Sequence, residues 1–252
     1  MKHDIAELLN RIDQLKEKLE AARPLLNETI LNAIDIEYTY DSNRIEGNTL
    51  TLRETDIVIN KGLTVGGKSM REHLEANNHY EAILYIRDLV KPNIPITEKI
   101  VKDVHAIVLS GIDRANAGKY RSVPVAISGS RHAPPQPWQV PKMMEDLNHW
   151  VREKGDKLHP IIFAAELHEQ IATIHPFIDG NGRTARLLMN LILLQHGYPI
   201  TNIPGNTESR LSYYDALEKC NLEKDKSIFF ILIATYVHDS LKNILQKLGA
   251  EG

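Results

Sequence analysis

The chain has 252 residues, 42% of them hydrophobic and 25% charged, which is enough for a substantial core and ordinary for a globular protein. A net charge of −3 excludes bulk attraction to a nucleic acid polymer or an anionic membrane surface. The single cysteine, Cys220, excludes an internal disulfide framework, and neither a signal-peptide pattern nor an apolar run of membrane-spanning length stands out, so a cytoplasmic protein is expected.

Residues 4–22 carry Ile5, Leu8, Leu9, Ile12, Leu15 and Leu19 on one stripe, which predicts a helix packed on the body of the protein or on a second copy. Asn27 is placed to cap a second helix running through Ile30, Ile34, Tyr38 and Ile45, with Gly47 as its stop. Thr51 with Glu54 and Ser69 with Glu72 fit the capping box, predicting helices over about 52–60 and 70–90. Thr97 starts another, whose apolar face is Ile100, Val101, Val104, Ile107 and Val108. The period then changes. Val123, Val125 and Ile127 alternate with Pro124 and Ala126 before Ser128-Gly129-Ser130, which predicts a small edge hairpin over 123–132 able to capture a peptide segment by strand addition. Pro141 and Pro160 open two further helices, and 209–220 and 228–248 read as two more, so the chain is expected to be all-α apart from that hairpin.

The richest stretch joins two apolar helical runs, 161–174 and 187–194, and reads His175-Pro-Phe-Ile-Asp179-Gly180-Asn181-Gly182-Arg183-Thr-Ala-Arg186. A helix tends to end before a proline, which puts His175 at a lip. The glycines permit a tight turn and close approach of a ligand, and the next helix aims its unpaired amides and positive dipole end at that turn. Arg183 and Arg186 share a helical face and lean back toward the same place. Backbone amides plus two guanidinium forks suit phosphate oxygens. Asp179, the loop's one carboxylate, suits a Mg²⁺ that shares its coordination with phosphates, and His175 is the group with a pKa near neutrality, hence a candidate general base. With no lysine followed by Ser or Thr, this is not a Walker A loop.

The pattern His175-Pro-Phe-x-Asp-Gly-Asn-Gly-Arg-x-x-Arg186 resembles the signature of the Fic (Fido) family in full, and the resemblance spans roughly 97–235 and extends upstream. It implies an all-α core with a β-hairpin flap, divided here as an N-terminal helical region (1–96), a catalytic core (97–235) and a C-terminal helix (236–252). It implies transfer of AMP from ATP, with Mg²⁺, to a hydroxyl side chain of a target protein. His175 would take the hydroxyl proton and Asp179 would hold the metal. Gly180, Asn181, Gly182 and Arg183 would cradle the phosphates, and Arg186 would bind the terminal one. Ser42-Asn-Arg-Ile-Glu46-Gly47 resembles the family's inhibitory segment, whose carboxylate would occupy the terminal-phosphate position by pairing with Arg186. Ile127, Ser128, Gly129 and Ser130 resemble the flap over the nucleotide, and Tyr213 and Asn221 the segment near adenine and ribose. The same residues would also serve removal of AMP with Glu46 orienting a water, and a nucleotide-binding regulatory module that docks through its N-terminal helix is the non-enzymatic alternative. Nucleotides other than ATP, and assembly into a homo-oligomer, are open at this point.

Overall fold

Capping residues set most of the element boundaries. The computed structural model describes residues 2–91, 94–155 and 157–250, so the expected regions reach outside the described residues at 1, 92, 93, 156, 251 and 252. The helices are α1 (Lys2–Ala22), α2 (Glu28–Ile45), α3 (Leu52–Lys61), α4 (Met70–Val90) and α5 (Glu98–Val108), then α6 (Val140–Lys154), α7 (Pro160–Ile174), α8 (Asn181–Gln195), α9 (Thr207–Glu223) and α10 (Ser227–Lys247). The Asn27 side chain accepts from the Ile30 amide, and Thr97 from that of Ile100. Thr51–Glu54 and Ser69–Glu72 both close full capping boxes, satisfying amides that a helix start leaves unpaired.

The core is built around α8. It packs along α7, with α4 and α5 against its other sides, while α10 lies between α1 and α7. From Asn181 to Leu193 every α8 residue except Gly182 is buried, including Asn181, Arg183, Thr184, Arg186 and Asn190. Charged residues are seldom buried without partners, so two interior arginines at one helix start mark a candidate site. One continuous core joins Ile12 of α1, Ile83 of α4, Leu187 of α8 and Leu241 of α10.

Two expectations change. No strand forms among the described residues, so the predicted hairpin over 123–132 is instead an extended stretch with a turn, in which the Ser130 amide donates to the Ile127 carbonyl at 3.1 Å and Gly129 takes φ +77°. Pro124, which cannot donate, removes one ladder bond, and the stretch is held by side chains of its neighbours instead. Second, α10 is long and apolar enough by length and composition to cross a membrane, although no such run was expected. Its buried residues, Phe229 to Leu245, pack in the core on α1, α7 and α9.

Candidate active site

α7 ends at Ile174, and His175 is its C-terminal residue in the left-handed region at φ 50°, ψ 59°. Only one other described non-glycine residue, Lys224, has positive φ, so this is a strained position of the kind that clusters at functional sites. The His175 amide closes α7 on the Ile171 carbonyl at 2.9 Å, while Nδ1 faces the Ala172 carbonyl at 3.4 Å. A carbonyl only accepts, which assigns the proton to Nδ1 and leaves the Nε2 lone pair as the basic one. Burial pushes the imidazole below its ordinary value of 6.5, with the Ala172 carbonyl acting the other way and the Arg121 charge adding to the depression. The neutral ring therefore persists to lower pH than in a free histidine. For a general base the sign follows: the rate should be level at neutral pH and fall only as pH drops through a value below 6.5. A pH–rate profile over the acid range checks this; a limb above 6.5 would contradict it.

The turn after His175 is braced from inside. Asn181 Oδ1 accepts from the Phe177 amide and Asn181 Nδ2 donates to the Phe177 carbonyl, both at 2.9 Å. The oxygen and the nitrogen of its side chain thus both brace the loop. His105 stacks on Phe177 at 3.6 Å between centroids and, accepting from the Gly118 amide at Nδ1, donates from Nε2 to the Asp179 carbonyl at 2.9 Å. Gly180 turns the chain at φ 77° with Val108 and His105 close behind, so a side chain there would be both strained and crowded.

Arg183 and Arg186 lie beneath this turn at 2% and 1% exposure. Among the described residues the Nε and Nη1 donors of Arg183 have no hydrogen-bond partner; Glu75 Oε1 is 3.6 Å from Nη1 and Asp179 Oδ1 is 3.4 Å from Nη2. Buried unsatisfied guanidinium donors at a helix N-terminus fit an anionic ligand with several oxygens. The Asp179 carboxylate accepts from the Gly180 amide at 2.6 Å and pairs with Arg71 at 2.5 Å. Burial alone would raise its pKa, but Arg183, the Gly180 amide and Arg71 together hold it below the ordinary range. One ionised carboxylate beside an anion nest suits Mg²⁺, which takes one or two carboxylates and fills its shell from phosphates and water.

Glu46 stands over the same helix start. Asn48 N–H bonds the Asn43 carbonyl at 3.1 Å and Gly47 N–H that of Arg44 at 3.0 Å, with Gly47 at φ +98°: this Schellman ending makes Glu46 the C-cap of α2. Its Oε1 meets Arg186 Nη2 at 2.7 Å. Arg186 also donates to Ser42 Oγ at 3.0 Å, to the Ser42 carbonyl at 2.9 Å and to the Tyr213 hydroxyl at 3.4 Å. Burial opposes the guanidinium charge, but Glu46, Tyr213 and Tyr38 together more than offset it and raise the Arg186 pKa. A Cβ built on Gly182 would collide with Glu46 Oε1, so the carboxylate sits directly over the first turn of α8.

The structure thus brings together Ser42, Glu46, His175, Asp179, Gly180, Gly182, Arg183 and Arg186. Tyr213 is buried at 1% exposure, its hydroxyl 2.9 Å from His168 Nε2 and under Arg186, so it props the arginine. Asn221 Oδ1 accepts from Thr173, and Asn221 Nδ2 donates to the Leu217 carbonyl. Of Ile127, Ser128, Gly129 and Ser130, the tip is tied to α9: the Ser130 hydroxyl and the Arg131 amide donate to Glu218 Oε1. Four participants escaped the sequence reading: Arg71, Glu75, Arg121 and Tyr214, whose hydroxyl holds the Ile45 carbonyl at 2.9 Å. Arg71 and Glu75 carried a usable signal, an ionic pair on one face of α4. Arg121 and Tyr214 act through distant carbonyls and carried none.

Fold and site define an all-α protein with an anion nest at the start of a buried helix, faced by a neutral histidine and covered by a carboxylate from its own chain. Residues 95–193 match the Fic/DOC family model. The chain is 39% identical over 219 residues to the protein adenylyltransferase Fic of Nematostella vectensis, covering 85% of this chain and 50% of that protein, so it spans half the relative's length. Fic-1 from C. elegans, in a form with a glutamate-to-glycine substitution, is 30% identical with a TM-score of 0.83, over 97% of this chain and 73% of that one. A Fic-domain-containing signaling protein from Bacteroides thetaiotaomicron gives a TM-score of 0.86 at 29% identity, over 96% and 97% of the two chains. The chain belongs to the Fic/DOC family.

Proposed function

We propose that the chain is a protein adenylyltransferase that moves AMP from ATP to a serine, threonine or tyrosine hydroxyl of a target protein, and that Glu46 holds it inactive. The activity is what its relatives are named for; the observation that carries the regulation is the Glu46–Arg186 pair over Gly182. Arg183, with two unspent donors, binds the α- and β-phosphates together with the first amides of α8. Arg186 takes the terminal phosphate once Glu46 leaves. Asp179 is the residue to hold Mg²⁺, which supplies charge neutralisation on the phosphates.

His175 Nε2 accepts the proton of the target hydroxyl. The hydroxyl oxygen forms a bond to the α-phosphorus, the bond from that phosphorus to the bridging oxygen breaks, and pyrophosphate leaves. The protein's work is positioning and electrostatics, with no covalent enzyme intermediate. Parallel incubations with ATP labelled in the α- or in the γ-phosphate test the reading: α-label on protein supports it, and transfer of the γ-label alone would redirect it to a kinase.

Arg71 is the residue this reading casts as a competitor, since its guanidinium already occupies one oxygen of Asp179. The pair is more than half exposed on the arginine side, so it is worth at most about 1 kcal/mol. Arg71→Ala is expected to tighten Mn²⁺ binding to the ATP complex about two- to fivefold, read by electron paramagnetic resonance. Unchanged Mn²⁺ affinity would remove Arg71 from the metal site.

A further inference from the structure

Arg121 is buried at 3% exposure, in the connection between α5 and α6, and among the described residues it pairs with no carboxylate. Its donors go to backbone carbonyls: Nε to His175 at 2.8 Å, Nη1 to Val123 at 3.3 Å and Nη2 to Pro135 at 2.6 Å. Its amide donates to the Pro176 carbonyl at 2.9 Å. Burying a guanidinium without a counter-ion is costly, and it is kept only where several charge-assisted bonds offset the lost hydration. Here those bonds converge on three separate points. The His175 carbonyl belongs to a helix end, where no further turn supplies a donor, and to the strained left-handed residue that carries the base. Val123 and Pro135 flank the extended stretch 124–134, the segment whose tip reaches α9 through Glu218.

We propose that Arg121 is a positioning residue: its planar fork locks the His175 backbone and both ends of the 124–134 segment into one unit, so the base and that segment move only together. The kinetic part rests on the transferase reading above. A lysine cannot replace it, because one ammonium on a flexible stem does not hold three carbonyls in a plane. The charge acts on the imidazole as well. The groups that bear on His175 are Arg121 and His132, which favour the neutral ring, and Glu46 from α2, which favours the charged one.

Arg121→Gln and Arg121→Lys, each made in wild type and with Glu46→Gly, separate fork from charge. Hydrogen exchange followed by mass spectrometry should show the amides of residues 123–135 and that of His175 accelerating together in both variants, by about tenfold or more for each 1.4 kcal/mol lost. Titration of the His175 ring by NMR should give a raised pKa for Arg121→Gln and a nearly unchanged one for Arg121→Lys. With Glu46→Gly, both should lose about 100-fold in transfer rate while calorimetric ATP affinity stays within about threefold, as expected for a misplaced base. Exchange that rises in 123–135 but not at His175, or full transfer in Arg121→Gln, overturns the proposal. If Arg121→Gln does not fold, the Arg121→Lys exchange and rate decide alone. If the Glu46→Gly parent transfers no AMP, the functional reading fails, and the exchange and titration results still decide the positioning role.

Discussion

Glu46→Gly is expected to increase incorporation of α-phosphate label into protein by about 5- to 150-fold, the range of a 1–3 kcal/mol coupling energy. Glu46 is one-third exposed, so its bond to Arg186 is partly screened despite the arginine's full burial. The variant should remain folded. Arg186 retains both Ser42 bonds and its contact with Tyr213, so it is not left as a bare buried charge. The backbone at position 46, φ −84° and ψ 1°, is open to glycine, and the helix ending depends on Gly47. A melting temperature within a few degrees of wild type is expected, because about 1 kcal/mol moves a domain of this size by roughly 2–4 °C. Equal incorporation in wild type and variant would mean that the carboxylate is a structural partner of Arg186 and no plug. Serine at position 42 belongs to the same device: its hydroxyl and carbonyl hold the guanidinium where Glu46 meets it.

His175→Asn is expected to reduce transfer by about 10²–10⁴-fold in the Glu46→Gly background, the usual range for a general base. Asparagine is the better probe because it tolerates the left-handed conformation at φ 50°, where alanine would add backbone strain to the loss of the base. The phosphate groups are untouched, so ATP affinity by calorimetry should stay within about threefold of the parent. A variant that keeps its rate places the base elsewhere; one that loses ATP binding makes His175 a binding residue. Removal of AMP from a modified protein, with Glu46 orienting a water, predicts the opposite response to Glu46→Gly, namely loss of AMP release.

Much of this was legible in the sequence because its signals were local. Capping pairs, proline starts and glycine stops act within four residues, so the helices and the Glu46–Gly47 ending follow from spacing. The His175–Arg186 loop was legible for the same reason: base, carboxylate, glycines and arginines fall on one turn and one helix start. Long-range partners were not. Arg71 reaches Asp179 across 108 positions, and Tyr214 reaches Ile45 across 169. No periodicity records either contact. The hairpin failed because alternation predicts which side chains share a face, whereas a ladder also needs a partner strand, and here Arg121 and Glu218 hold the segment instead. Tyr213 and Asn221 fell near the site, with contacts to Arg186 and Thr173 that helical spacing does not reveal.

The central claim is that Arg186 is contested between Glu46 and the terminal phosphate of ATP. Calorimetric titration of ATP, ADP and AMP, each with Mg²⁺, into wild type and Glu46→Gly tests it most directly. The variant is expected to gain affinity for ATP and little or none for ADP and AMP, neither of which carries a γ-phosphate to place on Arg186. An equal gain for all three nucleotides, or none for ATP, would contradict it.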